Sequence, residues 1–217
     1  MIGGIEIFLA VILLTVLFSL TSSRIMSLIK LMALQGALVS LIPVLLELES
    51  KLHAGGLILF TVMLTIKALI IPGLLYFALT RMAIMREVEP LIGYHSSVAA
   101  GLGLILVAAY IARQLNIAVE GVQPLVLITA ITTLGGGLFL MMSRSKALTQ
   151  VIGYLMLDNG IYLMGTALTR ETRSIYLVEF GVLLDLLVAV MIMGIILNNI
   201  SKTFDDVDTL DLEQLKD

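Results

Sequence analysis

Six ionisable residues interrupt the long apolar runs of this 217-residue chain: Glu6, Lys30, Lys67, Asp158, Glu179 and Asp185. A charge at the centre of a bilayer costs ~2.5–3.5 kcal/mol on insertion scales, so such residues usually serve ion movement or helix contacts. Glu6 and Lys30 lie near the ends of their runs, where a charged side chain reaches the interface. Because Lys67, Asp158 and Asp185 fall at the centres of three runs, we expect them to face one another, water or a partner subunit.

Carboxyl groups near a buried positive charge have the chemistry of a proton relay, because a buried acid becomes less costly when it binds a proton. Glu179 precedes Asp185 by six residues, about 9 Å along a helix and about 120° around it, so both acids can border one hydrated path. Tyr154 and Tyr162 share the helix face of Asp158, and Asn159 follows it directly. The alternative is structural: a buried Asp can bond to a hydroxyl group and hold helices together.

The elements that position these residues are seven apolar runs, each long enough to cross about 30 Å of hydrocarbon as a helix. They cover residues 2–22, 25–46, 55–79, 96–112, 121–142, 147–168 and 174–197. Hydrophobic residues make up 59% of the chain and charged residues 13%, against roughly a quarter charged in soluble domains. The sequence therefore predicts an all-α integral membrane bundle, and it excludes a soluble enzyme and a transmembrane barrel.

The loops set the orientation and the domain organisation. Seven Lys and Arg residues fall on one side and four on the other, which places the N-terminus outside and the C-terminus in the cytoplasm. The first run lacks a preceding basic residue and is read as a retained span rather than a signal peptide. We predict one transmembrane domain over 1–200: helices one to three in 1–95, a connector helix in 96–113, and the last three helices in 121–200. An acidic cytoplasmic tail occupies 201–217.

Metal and cofactor chemistry is not expected in this chain. It contains no Cys, so nickel–iron centres and ordinary iron–sulfur clusters have no thiolate ligands. Its two histidines, His53 and His95, lie in or beside loops, with no acid at a metal-ligand spacing. A net charge of −3 gives no reason to expect a nucleic-acid partner.

Two features of the helices leave alternatives open. Pro72 frees the carbonyl group of Ala68, one residue from Lys67. Residues 135–137 are all Gly, which fits either close helix packing or a broken segment that lines a hydrated path.

The second and sixth runs also align, with Gln35 opposite Asp158, and Lys67 has a depth like that of Asp185. This alignment predicts an internal repeat of runs one to three and five to seven.

The segments 151–160 and 179–185 resemble membrane component E of hydrogenase-4-type complexes. The resemblance covers most of the chain and includes Gln35, the segment from Lys67 to Pro72 and the tail at 210–216. The last three runs are also similar to the three-helix K subunit of respiratory complex I. Asp185 falls on the second midmembrane Glu of that subunit. The first falls on Leu155, one turn before Asp158, so this chain departs from the K-subunit pattern there.

The resemblance implies a non-redox subunit of a membrane arm that couples a cytoplasmic redox module to proton or sodium movement. Its partners would be antiporter-like membrane subunits in the inner (plasma) membrane. Asp158 and Asp185 would be relay sites, Lys67 a charge that tunes them and Glu179 a secondary site. Tyr154, Tyr162, Asn159 and Gln35 would be supporting polar groups. Two other functions fit the residues: an independent secondary transporter, or a purely structural linker between larger subunits.

Overall fold

The computed structural model describes residues 2–47, 61–81, 92–115, 124–168, 185 and 188–194, and these residues are helical apart from short links and helix ends. Helix α1 spans Ile2–Thr21, α2 Ile25–Glu47, α4 Tyr94–Gln114, α5 Pro124–Ser143 and α6 Ala147–Leu168. Helix α3 covers 61–81, and α7 is described at Asp185 and at 188–194. The described residues contain no strand, which confirms the all-α prediction for this part of the chain.

Five helices in the described part of the chain are long and apolar enough to cross a membrane: Gly4–Thr21, Ile25–Leu45, Thr61–Thr80, Tyr94–Gln114 and Pro124–Ser143. Where the structure describes the ends of a predicted run, the predicted and observed bounds differ by at most two residues, and the predicted sixth run coincides with α6. The starts of the third and fifth runs and both ends of the seventh run lie outside the described residues. The loop that follows α6, Glu179 and the acidic tail lie outside the described residues.

Helix α6 is the central helix of the bundle. None of its residues from 151 to 167 is exposed, whereas α1 and α4 present rows of exposed apolar residues. Other helices cover α6 along this length. The polar residues of α6 are therefore held away from bulk solvent.

The run of three glycines in α5 is a close-packing site, and the alternative of a broken segment is wrong because α5 is continuous from Pro124 to Ser143. A Cβ atom added at Gly137 would lie 2.5 Å from the backbone nitrogen of Leu157 and 2.7 Å from the carbonyl oxygen of Gly153, both in α6. Gly136 leaves no room for a Cβ beside Val16 of α1. The absence of side chains therefore lets the backbones of α5 and α6 approach closely and lets the side chain of Val16 pack against α5.

Helix α3 contains a wide π-helical turn at Ile66–Ile70, just before Pro72. The backbone N–H of Ile71 donates to the carbonyl oxygen of Ile66, five residues earlier. A proline in a regular α-helix clashes with the carbonyl group four residues before it, which here is that of Ala68. The wide turn relieves this clash, and it contains Lys67.

Two three-residue links lie at the same end of the bundle, which we call the link end: 22–24 between α1 and α2, and 144–146 between α5 and α6. The carbonyl oxygen of Arg24 accepts from the N–H groups of Ser27 and Leu28, and that of Lys146 accepts from the corresponding groups of Thr149 and Gln150. These matching helix starts support a repeat of the two hairpins. They align Gly36 with Asp158, one residue away from the predicted pairing of Gln35 with Asp158.

The buried core is divided into two apolar clusters along the length of the helices. The link-side core includes Val16, Met32, Ile71, Leu140, Met156 and Val188. The far-side core includes Ile12, Leu38, Met63, Ala130 and Leu163. Between these two clusters every helix except α4 carries buried polar residues, and we call this set the polar layer: Thr15, Gln35, Lys67, Thr132, Thr133, Asp158, Asn159 and Asp185.

Candidate functional site

Lys67 of α3 is the centre of the candidate site. Its ammonium group donates a hydrogen bond to Asp158 Oδ2 of α6 and a second one, 3.1 Å long, to Asp185 Oδ1 of α7. The exposed fractions of the three residues are 5%, 1% and 1%. Of the three expected surroundings, which were one another, water or a partner subunit, the structure shows contact with one another, and one cluster joins three helices.

The cluster does not balance its formal charges. One ammonium group faces two carboxyl groups, so three ionised groups leave one negative charge in a buried, low-dielectric place. The second oxygen of Asp185, Oδ2, is buried and makes no hydrogen bond in the described part of the chain. Buried polar groups rarely lack partners, and functional sites supply many of the exceptions. A proton can therefore be added at this oxygen without breaking a hydrogen bond of the cluster.

The close approach of α2 holds Lys67 in place. A Cβ atom at Gly36 would lie 3.0 Å from Lys67 Cβ and 3.1 Å from the Lys67 carbonyl oxygen, so a larger residue at Gly36 would meet the backbone of the π-turn. The flexible Lys side chain thus starts from a fixed base and reaches across to α6 and α7. Position 36 and the π-turn together determine where the ammonium group lies.

The supporting polar residues take different places around the cluster. Tyr162 is buried, and its ring centroid lies 6.0 Å from the Lys67 ammonium nitrogen, at the outer limit for a cation–π contact. Tyr154 is half-buried and packs against the link-side core. Gln35 and Asn159 are buried in the polar layer, and each has a side-chain nitrogen with no partner in the described part of the chain.

Of the other ionisable residues named from the sequence, those that the structure describes do not join the cluster. Glu6 and Lys30 are exposed on α1 and α2, as expected of side chains that reach an interface. Glu179 and His53 lie outside the described residues. Within the described ranges, no group of three His, Cys, Asp or Glu side chains is arranged to hold a metal ion.

Sequence reasoning missed the burial of Arg144, which it counted only as a loop charge. The guanidinium group donates to the carbonyl oxygens of Leu20 (2.7 Å), Ile92 (3.1 Å) and Ser143 (3.2 Å), and it lies 5.2 Å from the Tyr94 ring centroid. Because α1 and α5 end beside it, the positive charge faces the negative ends of two helix dipoles. Burial lowers the pKa of Arg144 below its ordinary value.

The threonines of the polar layer were also missed, because Thr is common in apolar helices and gives no distinct signal. Thr15 donates to the carbonyl oxygen of Ile12 (2.6 Å), and Thr133 donates to that of Thr129 (2.7 Å). The hydroxyl of Thr132 has no partner in the described part of the chain. Two of the three threonines are thus satisfied by their own helices, and Thr132 is not.

Comparison with known proteins gives one informative match. No family model matches the chain, and no solved structure matches it. The chain is 34% identical over 199 residues to a protein of Mycobacterium tuberculosis named uncharacterized protein Rv0085. The alignment covers 88% of this chain and 86% of that protein, so the similarity extends over nearly the whole length of both.

Proposed function

We propose that this chain, which belongs to the same family as uncharacterized protein Rv0085, is a membrane-arm subunit of a complex I-related, energy-converting hydrogenase-type complex. In this proposal it contributes buried acids to proton or sodium translocation, and the redox chemistry takes place in partner subunits. In this proposal the chain supplies no catalytic centre of its own and acts through charge. Membership of this family assigns no function to the chain. The proposal therefore depends on the geometry of the site and on the resemblance described from the sequence.

The observation that carries the proposal is the position of the Lys67 ammonium group between the carboxyl groups of Asp158 and Asp185. A positive charge shared by two acids on different helices can shift toward one when the other binds a proton. Addition of a proton at Asp185 Oδ2 neutralises that acid and leaves a neutral pair of Lys67 with Asp158. Loss of the proton restores the shared arrangement. The cycle moves one proton and needs only a small displacement of a long side chain.

The membrane arrangement that accompanies this proposal has seven spans, with the N-terminus outside and the C-terminus in the cytoplasm. The five apolar helices of the described part and the excess of basic residues on one side support it. The cluster lies at mid-length of α6, so this arrangement puts it near the centre of the inner (plasma) membrane. Antiporter-like subunits would be the neighbours, and a cytoplasmic redox module would be coupled through them.

A second candidate function is a structural linker, which one observation favours. All three charged side chains of the cluster are almost completely buried and joined by hydrogen bonds, as in an ion pair that only holds helices together. A buried ion pair of this kind fixes helix register without moving charge. The two candidates differ in what a neutral replacement of Asp185 does.

The first experiment is mass spectrometry of the complex that copurifies with a tagged chain in mild detergent. Antiporter-like subunits together with an iron–sulfur or nickel–iron module support the membrane-arm proposal and identify the redox partner. A chain that purifies alone, or only with itself, contradicts it and favours an independent transporter.

The second experiment measures ion movement by the reconstituted complex with a pH-sensitive dye or a sodium indicator. Asp185→Asn should abolish ion movement while the complex still assembles. The matched control is Glu6→Gln, which makes the same chemical change on the exposed face of α1 and should leave ion movement unchanged. Normal ion movement with impaired assembly of Asp185→Asn would instead support the structural linker.

A further inference from the structure

The polar layer continues beyond the ion-pair cluster to the side of α6 that faces α1 and α5. Six buried side-chain atoms in the described ranges lack a hydrogen-bond partner, and four of them belong to this layer. One of the four is Oδ2 of Asp185 in the cluster. The other three are Nε2 of Gln35, Oγ1 of Thr132 and Nδ2 of Asn159. The remaining two, in Arg144 and Thr149, lie near the link end.

The helix geometry places Asn159 on a different side of α6 from Asp158. Successive residues of an α-helix point about 100° apart, so Asn159 cannot share the direction in which Asp158 reaches Lys67. Met156 lies three residues before Asn159 and on the same face. A Cβ atom at Gly136 of α5 would lie 3.5 Å from Met156 Sδ and 2.6 Å from Val16 of α1. The face that carries Asn159 therefore points to α1 and α5.

The two core clusters show that the three partnerless groups lie at one level. Just to the link side of this level, Met32, Val16 and Met156 belong to one contact cluster, and Gly136 of α5, four residues after Thr132, lies against Val16 and Met156. Just to the far side, Leu38, Ile12, Ala130 and Leu163 belong to the other. Gln35, Thr132 and Asn159 lie between these residues on α2, α5 and α6. Their polar groups thus share one buried level of the bundle interior.

Three buried polar groups without partners are costly in a dry interior. Each unsatisfied group costs about 1–3 kcal/mol, and more than roughly 90% of buried polar groups in native proteins have a partner. The amide groups of Gln35 and Asn159 and the hydroxyl group of Thr132 can together donate and accept hydrogen bonds. Buried water molecules bind at polar sites of this type and make about three hydrogen bonds each.

We propose that internal water molecules bind between Gln35, Thr132 and Asn159 and form a hydrated compartment beside the ion-pair cluster. Asn159 is adjacent to Asp158 in the chain, so it borders the compartment on one side of α6 while Asp158 borders the cluster on the other. The water satisfies the three side chains, and it brings a polarisable medium close to a buried acid. This inference concerns hydration alone, so it holds whether or not the subunit moves ions.

The absence of Cys from the chain allows a direct test. Thr132→Cys replaces the hydroxyl with a thiol of similar size at a fully buried position. The matched control is Ala130→Cys, which puts a thiol at another fully buried position two residues away on α5, within the far-side core. The full-length chain is reconstituted in lipid together with its copurifying subunits. Infrared difference spectra against the unmodified preparation isolate the single introduced S–H stretching band.

After transfer to heavy water, the thiol introduced by Thr132→Cys should exchange its hydrogen at least roughly tenfold faster than that introduced by Ala130→Cys, because only the first contacts water without helix opening. Asn159→Leu removes a polar group from the compartment, so adding it to Thr132→Cys should slow the exchange toward the control rate. Equal exchange rates for the two thiols, whether fast or slow, would overturn the proposal. Retained assembly, measured by size-exclusion chromatography, excludes misfolding as the cause of a change.

The outcome of this test is distinguishable from that of the ion-movement assay. Fast exchange at position 132 combined with normal ion movement by Asp185→Asn would leave the hydrated compartment established and the relay contradicted. Slow exchange at both positions combined with loss of ion movement in Asp185→Asn would overturn the hydrated compartment and support the relay.

Discussion

Lys67 and Asp185 are 118 positions apart in the chain, yet the ammonium nitrogen of one lies 3.1 Å from a carboxyl oxygen of the other. Asp158 completes the contact from a third helix. These contacts connect the first half of the chain to α7 through charge, in addition to the apolar packing of the link-side core. Assembly and the proposed ion chemistry therefore depend on the same three side chains, and variants must separate the two.

Lys67→Met should destabilise the bundle strongly. The change leaves two buried acids without a positive partner, and removing one member of a buried ion pair typically costs about 3–5 kcal/mol. Unfolding in a denaturing detergent, followed by circular dichroism, measures the loss. Lys30→Met is the control, because Lys30 is exposed on α2, and it should change stability little.

Adding Asp158→Asn and Asp185→Asn to Lys67→Met should restore most of the lost stability, because no buried charge then remains. A triple variant as unstable as Lys67→Met alone would show that the loss comes from packing of the Lys side chain. The charge imbalance would then have no energetic role.

Gly137→Ala should weaken the contact between α5 and α6. The added methyl group would meet the backbone of Leu157 and Gly153, which cannot turn away as a flexible side chain can. Overpacking of this kind costs about 1–3 kcal/mol. The loss is measured by the same detergent unfolding.

Gly103→Ala is the matched control for Gly137→Ala, since a Cβ atom at Gly103 of α4 meets nothing within 4 Å. It should be neutral, or stabilising by up to about 1 kcal/mol through helix propensity. Equal effects at the two glycines would contradict the close-packing role of the α5 glycines.

Arg144→Gln should loosen the link end of the bundle. Three carbonyl oxygens on or beside α1, α4 and α5 would lose a charged donor, and hydrogen bonds to charged groups contribute about 1.5–3 kcal/mol each. Amide hydrogen exchange followed by mass spectrometry should show faster exchange around 20–24 and 144–150. Arg113→Gln, at an exposed position of α4, should leave the exchange rates of those segments unchanged.

Exchange rates that stay the same after Arg144→Gln would mean that packing, rather than the guanidinium group, holds the link end together. Burial lowers the pKa of Arg144. Arg144→Lys keeps a basic side chain at this position, so it is informative as a second variant. A Lys ammonium cannot reach three carbonyl groups in the planar arrangement of a guanidinium group. It should therefore rescue exchange protection only in part.

The sequence was sufficient to predict the described helices. It also limited Lys67, Asp158 and Asp185 to contact with one another, with water or with a partner subunit, because a central charge is costly. It also indicated a backbone disturbance before Pro72, although the π-turn itself depends on how α3 packs against Gly36. The burial of Arg144 could not be predicted, since a basic residue in a short link normally reaches solvent. The pairing of Gln35 with Asp158 was predicted from an alignment of the second and sixth runs. The two links support an alignment that is shifted by one residue and pairs Gly36 with Asp158.

The polar layer also has a consequence for how the energies of substitutions combine. Side chains that share no contact contribute independently, so their effects on unfolding add. Leu9→Ala in the far-side core and Leu20→Ala in the link-side core lie eleven residues, about 16 Å, apart on α1 and belong to different clusters. Their combined effect should equal the sum of the separate effects to within about 0.5 kcal/mol. Val16→Ala and Met156→Ala share one cluster and should show coupling, so the bundle combines two cooperative packing units in one chain.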